Sequence, residues 1–131
     1  MLRWPFAALA ASLAFSALPA LAGNWPADVA SANRALVTAK SFRVTTTEGA
    51  QVSVVDVTGP ERGGVVLPPN ALAMREADAS DGVSLAHLYR IIYPGGSPQV
   101  RWYVRVSDGR VHVIRRPGRG GPVMVTIDRY R

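Results

Sequence analysis

The chain reads as an α+β protein, an N-terminal helix packed on a curved antiparallel sheet of about five to six strands. Three observations predict this. Only one stretch after residue 22 carries apolar residues at helical spacing, from Trp25 to Ala39. Beyond Ser41 the clearest stretches, Phe42 to Thr47 and Gln99 to Arg116, alternate with the period of two that a half-buried strand shows. Glycine and proline supply 20 of the 109 residues from Gly23 onward, which divides the chain into short strands with short connections. Neither a helix nor a sheet buries its apolar side alone, so the helix is expected to cover one sheet face.

The first segment is expected to be removed. Met1-Leu2-Arg3 is a short positive start, Phe6 to Leu18 is an apolar run, and Ala20-Leu21-Ala22 is the small-x-small pattern that precedes signal cleavage. The apolar run is shorter than the ~20 residues a membrane-crossing helix needs, and Pro19 breaks the helix after it, just before the cleavage site. A cleavable signal peptide over residues 1–22 and one globular domain over 23–131 follow. The expected location is periplasmic or secreted, with cleavage near Ala22/Gly23. The absence of cysteine excludes disulfides, thiolate metal sites and a cysteine nucleophile.

Asn24-Trp25-Pro26 offers a cap and a first-turn proline, and Trp25, Val29, Ala32, Leu36 and Ala39 form one helical stripe. From Phe42 the β-branched sequence alternates as a strand, Glu48-Gly49-Ala50 turns the chain, and Gln51 to Thr58 is a second strand. Residues 59–64 are a loop by their turn chemistry. Val65 to Leu67 is expected as a short strand and Ala71 to Ala77 as a brief helix capped by Asn70. After Asp81-Gly82 a strand runs to Tyr93, although helix stays open up to His87. Gln99 to Arg116 reads as a hairpin turning at Asp108-Gly109, a loop spans Arg116 to Pro122, and a final strand runs from Val123 to about Tyr130.

Charge is unevenly placed. Residues 23–86 hold five basic and seven acidic side chains, net −2; residues 87–131 hold nine arginines against Asp108 and Asp128, net +7. The imbalance points to an anionic partner for the C-terminal half. A two-residue loop at Asp108-Gly109 sets Arg101 opposite Arg116, Arg105 opposite His112 and Tyr103 opposite Ile114, with the valines and Trp102 on the other side. Arg101, Tyr103, Arg105, His112 and Arg116, extended by Arg119 in the following glycine-rich loop, are therefore the candidate binding face. Like charges opposed across a sheet cost up to ~1 kcal/mol unless carboxylates or an external anion neutralise them. Anionic lipid, lipopolysaccharide or an envelope protein is the expected partner. Nucleic acid is not, because export and a single Arg119-Gly120-Gly121 segment argue against it.

No cofactor, metal site or catalytic group is expected. His87 and His112 lie 25 residues apart without a ligand-pair spacing. Ser84, His87 and Asp81 could in principle assemble a hydrolytic triad, but no Gly-x-Ser-x-Gly turn accompanies them, and enzyme activity is left open. The glycines at 118, 120 and 121 lead to Pro122 with no Lys-Ser/Thr, so they are not a nucleotide-phosphate loop.

The junction Leu36-Val37-Thr38-Ala39-Lys40-Ser41-Phe42-Arg43-Val44-Thr45 resembles the opening of the LolA-like periplasmic carriers, and Val106-Ser107-Asp108-Gly109 is similar to a hairpin of such folds. The likeness covers about twenty-five residues. It implies a helix-covered antiparallel sheet with an apolar hollow for lipid or lipoprotein. The chain is shorter than those carriers, and no binding residue is carried across. The expected function is non-enzymatic binding of an anionic envelope component, with lipid or lipoprotein carriage as the alternative and a minor envelope hydrolase as a third reading.

Overall fold

The computed structural model describes residues 25–59, 62–95 and 99–131. The expected signal peptide lies outside the described residues. Helix α1 (Ala27–Thr38) is followed by seven strands, β1 (Phe42–Glu48), β2 (Gln51–Val57), β3 (Leu72–Ser80), β4 (Leu85–Ile92), β5 (Val100–Arg105), β6 (Val111–Gly118) and β7 (Gly121–Asp128). They form one antiparallel sheet in the order β2-β1-β7-β6-β5-β4-β3. The α+β architecture is as expected, and the strand count is seven rather than five to six. No helix among the described residues is long and apolar enough to cross a membrane.

Helix α1 forms where the 3.6-residue stripe predicts it. Pro26 sits at its N-cap without a side-chain cap, which suits a residue lacking an N–H, and the Pro26 carbonyl accepts the Ala30 N–H at 3.0 Å. Val29, Ala32 and Leu36 are fully buried, packed with Phe42, Trp102 and Val104 of the sheet. Opposed residues of antiparallel strands share a face, so the same inner side carries Val44, Val57, Ile91, Val100, Ile114, Val123, Val125 and Ile127.

The chain crosses from β2, at one sheet edge, to β3, at the other, over this inner face. A single 3-10 turn, Arg62–Gly64, starts the crossing. Val65, Leu67 and Ala71 are buried beneath it, so the expected short strand at Val65 to Leu67 is instead an irregular segment packed on the core. Side-chain hydrogen bonds tie it to the helix: Asn33 Oδ1 accepts the Leu67 N–H at 2.8 Å, Asn33 Nδ2 reaches the Leu67 carbonyl at 3.5 Å, and Trp25 Nε1 donates to the Ala71 carbonyl at 2.7 Å. These bonds satisfy backbone groups that a buried irregular segment would otherwise leave unpaired.

Two further expectations are corrected. The helix expected over Ala71 to Ala77 is strand β3: Ala, Leu, Met and Glu favour helix by only a few tenths of a kcal/mol each, and pairing along β4 overrides that preference. The loop expected at Arg116 to Pro122 is mostly strand. Pro117 opposes Pro122 and Gly118 opposes Gly121, leaving Arg119-Gly120 as the turn between β6 and β7.

Candidate functional site

The hairpin of β5 and β6 exists, in a different register from the one expected. Strand β5 ends at Arg105 and β6 begins at Val111, with the turn closed by Arg105 N–H to the Arg110 carbonyl (2.8 Å) and Gly109 N–H to the Arg105 carbonyl (2.9 Å). The loop is longer than two residues, and a bulge between Tyr103 and Val104 shifts the pairing, so Arg101 opposes Arg115, Trp102 opposes Ile114 and Tyr103 opposes Val113. Val106 consequently leaves the packing face and is half exposed. A one-residue slip moves side chains across a sheet, and here it puts Arg115 on the outer face while Ile114 and Arg116 share the inner-side register with Val125 and Val123.

The six expected binding residues are therefore divided. Arg105 is not free: its Nε donates at 2.8 Å to Asp81, whose side chain is 0 % exposed. Burial pushes the Asp81 carboxyl up, but bonds from Arg105 and from the Ser84 and Val83 N–H groups outweigh it and hold the group below the usual carboxylate range. His112 is likewise committed, with Nε2 at 2.6 Å from Asp108 and Nδ1 at 2.8 Å from the Ile127 carbonyl, and its ring stands edge-on to Tyr130. Arg101 reaches the groove described below but also donates to Glu76 at 2.9 Å. Glu76 and Asp81 come from distant segments, β3 and the turn after it, which no local pattern connects to the hairpin, whereas Asp108 lies in the hairpin's own turn, four residues before His112.

Arg101 and Tyr103 remain together on the outer face, joined by Arg115, which the sequence reading omitted, while Arg116, next along β6, only borders their groove and keeps its side chain in the inner-side register. They line an open groove of about 640 Å³ on the outer side of β5 and β6, closed at its end by the Pro117–Pro122 pair of the β6–β7 ribbon. The Arg115 guanidinium lies 5.8 Å from the Tyr103 ring centroid, within cation–π range. Arg115, Arg116 and Arg119 make no ion pair among the described residues. Among the described residues no carboxylate lines the groove. Arg119 stands apart, at the ribbon turn, beside a cleft it shares with Glu48 and Arg116. The signal that could have located Arg115 was the Arg115-Arg116 doublet itself, which places one arginine on each side of a strand whatever the register.

Arg116 also borders a second space. Between the inner face and the crossing segment lies a hollow of about 440 Å³, lined by Val44, Val65, Val100, Ile114 and Val125, with Tyr93 and Arg116 among its polar wall. Burial pushes the Tyr93 hydroxyl pKa up, and the nearby Arg116 charge opposes this only in part, so the group is a neutral donor at ordinary pH.

The triad reading does not assemble. Ser84 and Asp81 meet through the Ser84 backbone N–H, and the Asp81 side chain is taken by Arg105. His87 faces the start of α1 instead, with Nδ1 at 3.1 Å from Asp28, whose carboxylate also accepts the Tyr89 hydroxyl at 2.6 Å. Burial raises the Asp28 pKa, and the bonds from Tyr89, His87 and the Val29 N–H together bring it below the usual range; burial and the same carboxylate push the Tyr89 hydroxyl well up. This network fastens α1 to β4. Among the described residues no group of three or more His, Cys, Asp or Glu is placed to hold a metal ion. Comparisons of the chain with protein-family models, with curated protein sequences and with solved structures found no match.

Proposed function

We propose that this chain is an exported, periplasmic or secreted, non-enzymatic binding protein for an anionic envelope component such as an anionic lipid or lipopolysaccharide. The observation that carries the reading is an outer-face groove holding Arg101 and Arg115 around Tyr103, with no carboxylate among the described residues that line it. Guanidinium groups offer paired donors in the geometry of phosphate and carboxylate oxygens, and Tyr103 adds an amphipathic wall suited to the boundary between a headgroup and its apolar part. Repulsion among the arginines is relieved when an anion enters, so the same feature that costs stability in the free protein favours the bound one.

The test is retention on vesicles containing phosphatidylglycerol against vesicles of phosphatidylcholine alone. Retention on the anionic vesicles falls steeply with added salt, and Arg101→Ala with Arg115→Ala lowers affinity by about tenfold per arginine, the loss of one charge-assisted hydrogen bond each. Equal retention of the double variant and the parent on anionic vesicles rejects the groove.

The inner hollow favours a second reading, carriage of lipid or lipoprotein, which the LolA-like resemblance also implies. Its apolar valine and isoleucine lining suits an acyl chain and Arg116 suits an acidic headgroup. Filling the hollow with Val125→Phe then abolishes binding of a fluorescent dodecanoate derivative while leaving vesicle retention intact. Dodecanoate binding unaffected by that substitution removes the carrier reading and leaves the groove untouched.

A further inference from the structure

The two edges of the sheet are built differently. Strand β3, at one edge, carries Arg75, Glu76 and Asp78 and an irregularity between Arg75 and Ala77, features that discourage another strand from pairing there. Strand β2, at the other edge, pairs without irregularity and carries a single charged residue. Residues 51 to 56 are all exposed, with Val52 62 %, Val54 56 % and Val55 52 % exposed, and the one charge, Asp56, is occupied by Arg43 of the neighbouring strand at 2.9 Å.

The turn before β2 tells which backbone groups face outward. Glu48 and Gln51 are opposed across Gly49-Ala50, and Gly49 has φ +59° while Ala50 does not have a positive φ, as in a two-residue turn of type II′. The residues closing such a turn exchange both backbone hydrogen bonds. By alternation Gln51, Ser53, Val55 and Val57 direct their N–H and C=O groups toward β1, and Val52, Val54 and Asp56 direct theirs away from the sheet.

We propose that the β2 edge pairs antiparallel with the β2 edge of a second copy of this chain, about a two-fold axis at Ser53 that makes one continuous sheet from two. The occupant follows from the strand's match to itself. With the axis at Ser53, Val52 opposes Val54 of the second copy and Val54 opposes Val52 of the second copy, all four on the outer face, and Asp56 opposes Ala50. No like charges face each other. An axis at Val54 would set Val52 against Asp56, and one at Val55 would set Val54 against Asp56, so each of these loses an apolar pair that the Ser53 register keeps. A seven-residue edge buries less than the ~800 Å² per partner of a standard stable interface, so the dimer is weak and concentration-dependent. The axis stands perpendicular to the sheet, which keeps the outer faces of both copies on the same side. Both arginine grooves then face one way, the arrangement that would let two weak contacts reinforce each other on an extended anionic surface. The pairing itself does not depend on what the groove binds.

The absence of cysteine makes a direct test available. In the proposed register Ser53 and Ser53 of the second copy form a non-hydrogen-bonded pair, whose Cα atoms are about 4.5 Å apart and within disulfide reach. Ser53→Cys in the full chain is expected to form covalent dimer under mild oxidation at least about tenfold faster than Val83→Cys, which is 81 % exposed on the turn between β3 and β4, reflecting pre-association rather than chance collision. Adding Val52→Lys and Val54→Lys to Ser53→Cys, with the fold checked by far-ultraviolet circular dichroism, brings the rate down to that of Val83→Cys. Added positive charge would by itself quicken thiol oxidation, so the slowing reports lost pairing. Equal rates for Ser53→Cys and Val83→Cys, or a rate the lysines leave unchanged, overturn the edge pairing. Faster cross-linking of Val54→Cys than of Ser53→Cys overturns the register.

Discussion

Arg105 distinguishes a residue held for stability from one held for binding. In Arg105→Met the aliphatic stem remains and the guanidinium is lost, leaving Asp81 with a fully buried side chain and two backbone N–H donors in place of three partners. Breaking a buried ion pair costs about 3–5 kcal/mol, and the surviving donors place this case near the lower end, about 3 kcal/mol, or a fall in Tm of roughly 10–20 °C for a domain of this size. The pH dependence has a definite sign. Asp81 has a depressed folded-state pKa, so its contribution is present above the unfolded carboxylate pKa and disappears as pH falls through the folded value. Removing Arg105 brings the folded value back toward the unfolded one, so the variant loses less stability than the parent between pH 5 and the acid limit. Urea unfolding at neutral and acid pH, with retention on anionic vesicles measured in parallel, reads all of this. A Tm within about 2 °C of the parent, or a loss of retention as large as that of the Arg101/Arg115 double variant, refutes the assignment of Arg105 to structure.

Three further predictions concern the supports of the site. Asp28→Asn weakens the bonds from Tyr89 and His87 and lowers stability at neutral pH by about 1–2 kcal/mol in urea unfolding; because Asp28 is depressed in the folded state, the difference from the parent shrinks as pH falls through that value. Asn33→Ala leaves the Leu67 N–H unpaired beneath α1 and costs about 2 kcal/mol, with faster amide exchange at Leu67 than at sheet residues. Gly118→Ala would set a Cβ 2.5 Å from Val123 Cγ2 and 2.9 Å from the Gly121 carbonyl, so the β6–β7 ribbon must shift; the expected loss is about 1–3 kcal/mol with chemical-shift changes concentrated at Arg116 to Val123.

The elements whose local pattern and packing agree were legible in the chain. Val29, Ala32 and Leu36 recur at helical spacing and are buried at that spacing. Phe42 to Glu48, Gly49-Ala50 and Gln51 to Val57 are a strand, a turn and a strand by composition alone, because β-branched alternation and a glycine at the first turn position are local physics. Ala71 to Ala77 shows the opposite case, where a modest helical preference yields to hydrogen bonding with β4.

Tertiary structure alone decided which charges are neutralised. Sequence showed nine arginines crowded into the last third of the chain, but whether each is paired depends on carboxylates that arrive from elsewhere. Asp81 approaches Arg105 and Glu76 approaches Arg101 across 24 and 25 residues, and a longer turn together with a one-residue bulge between Tyr103 and Val104 sets Arg115 rather than Arg116 opposite Arg101. Coulomb and hydrogen-bond energies fall off within a few ångströms, so a shift in register too small to disturb composition or periodicity is enough to redistribute them.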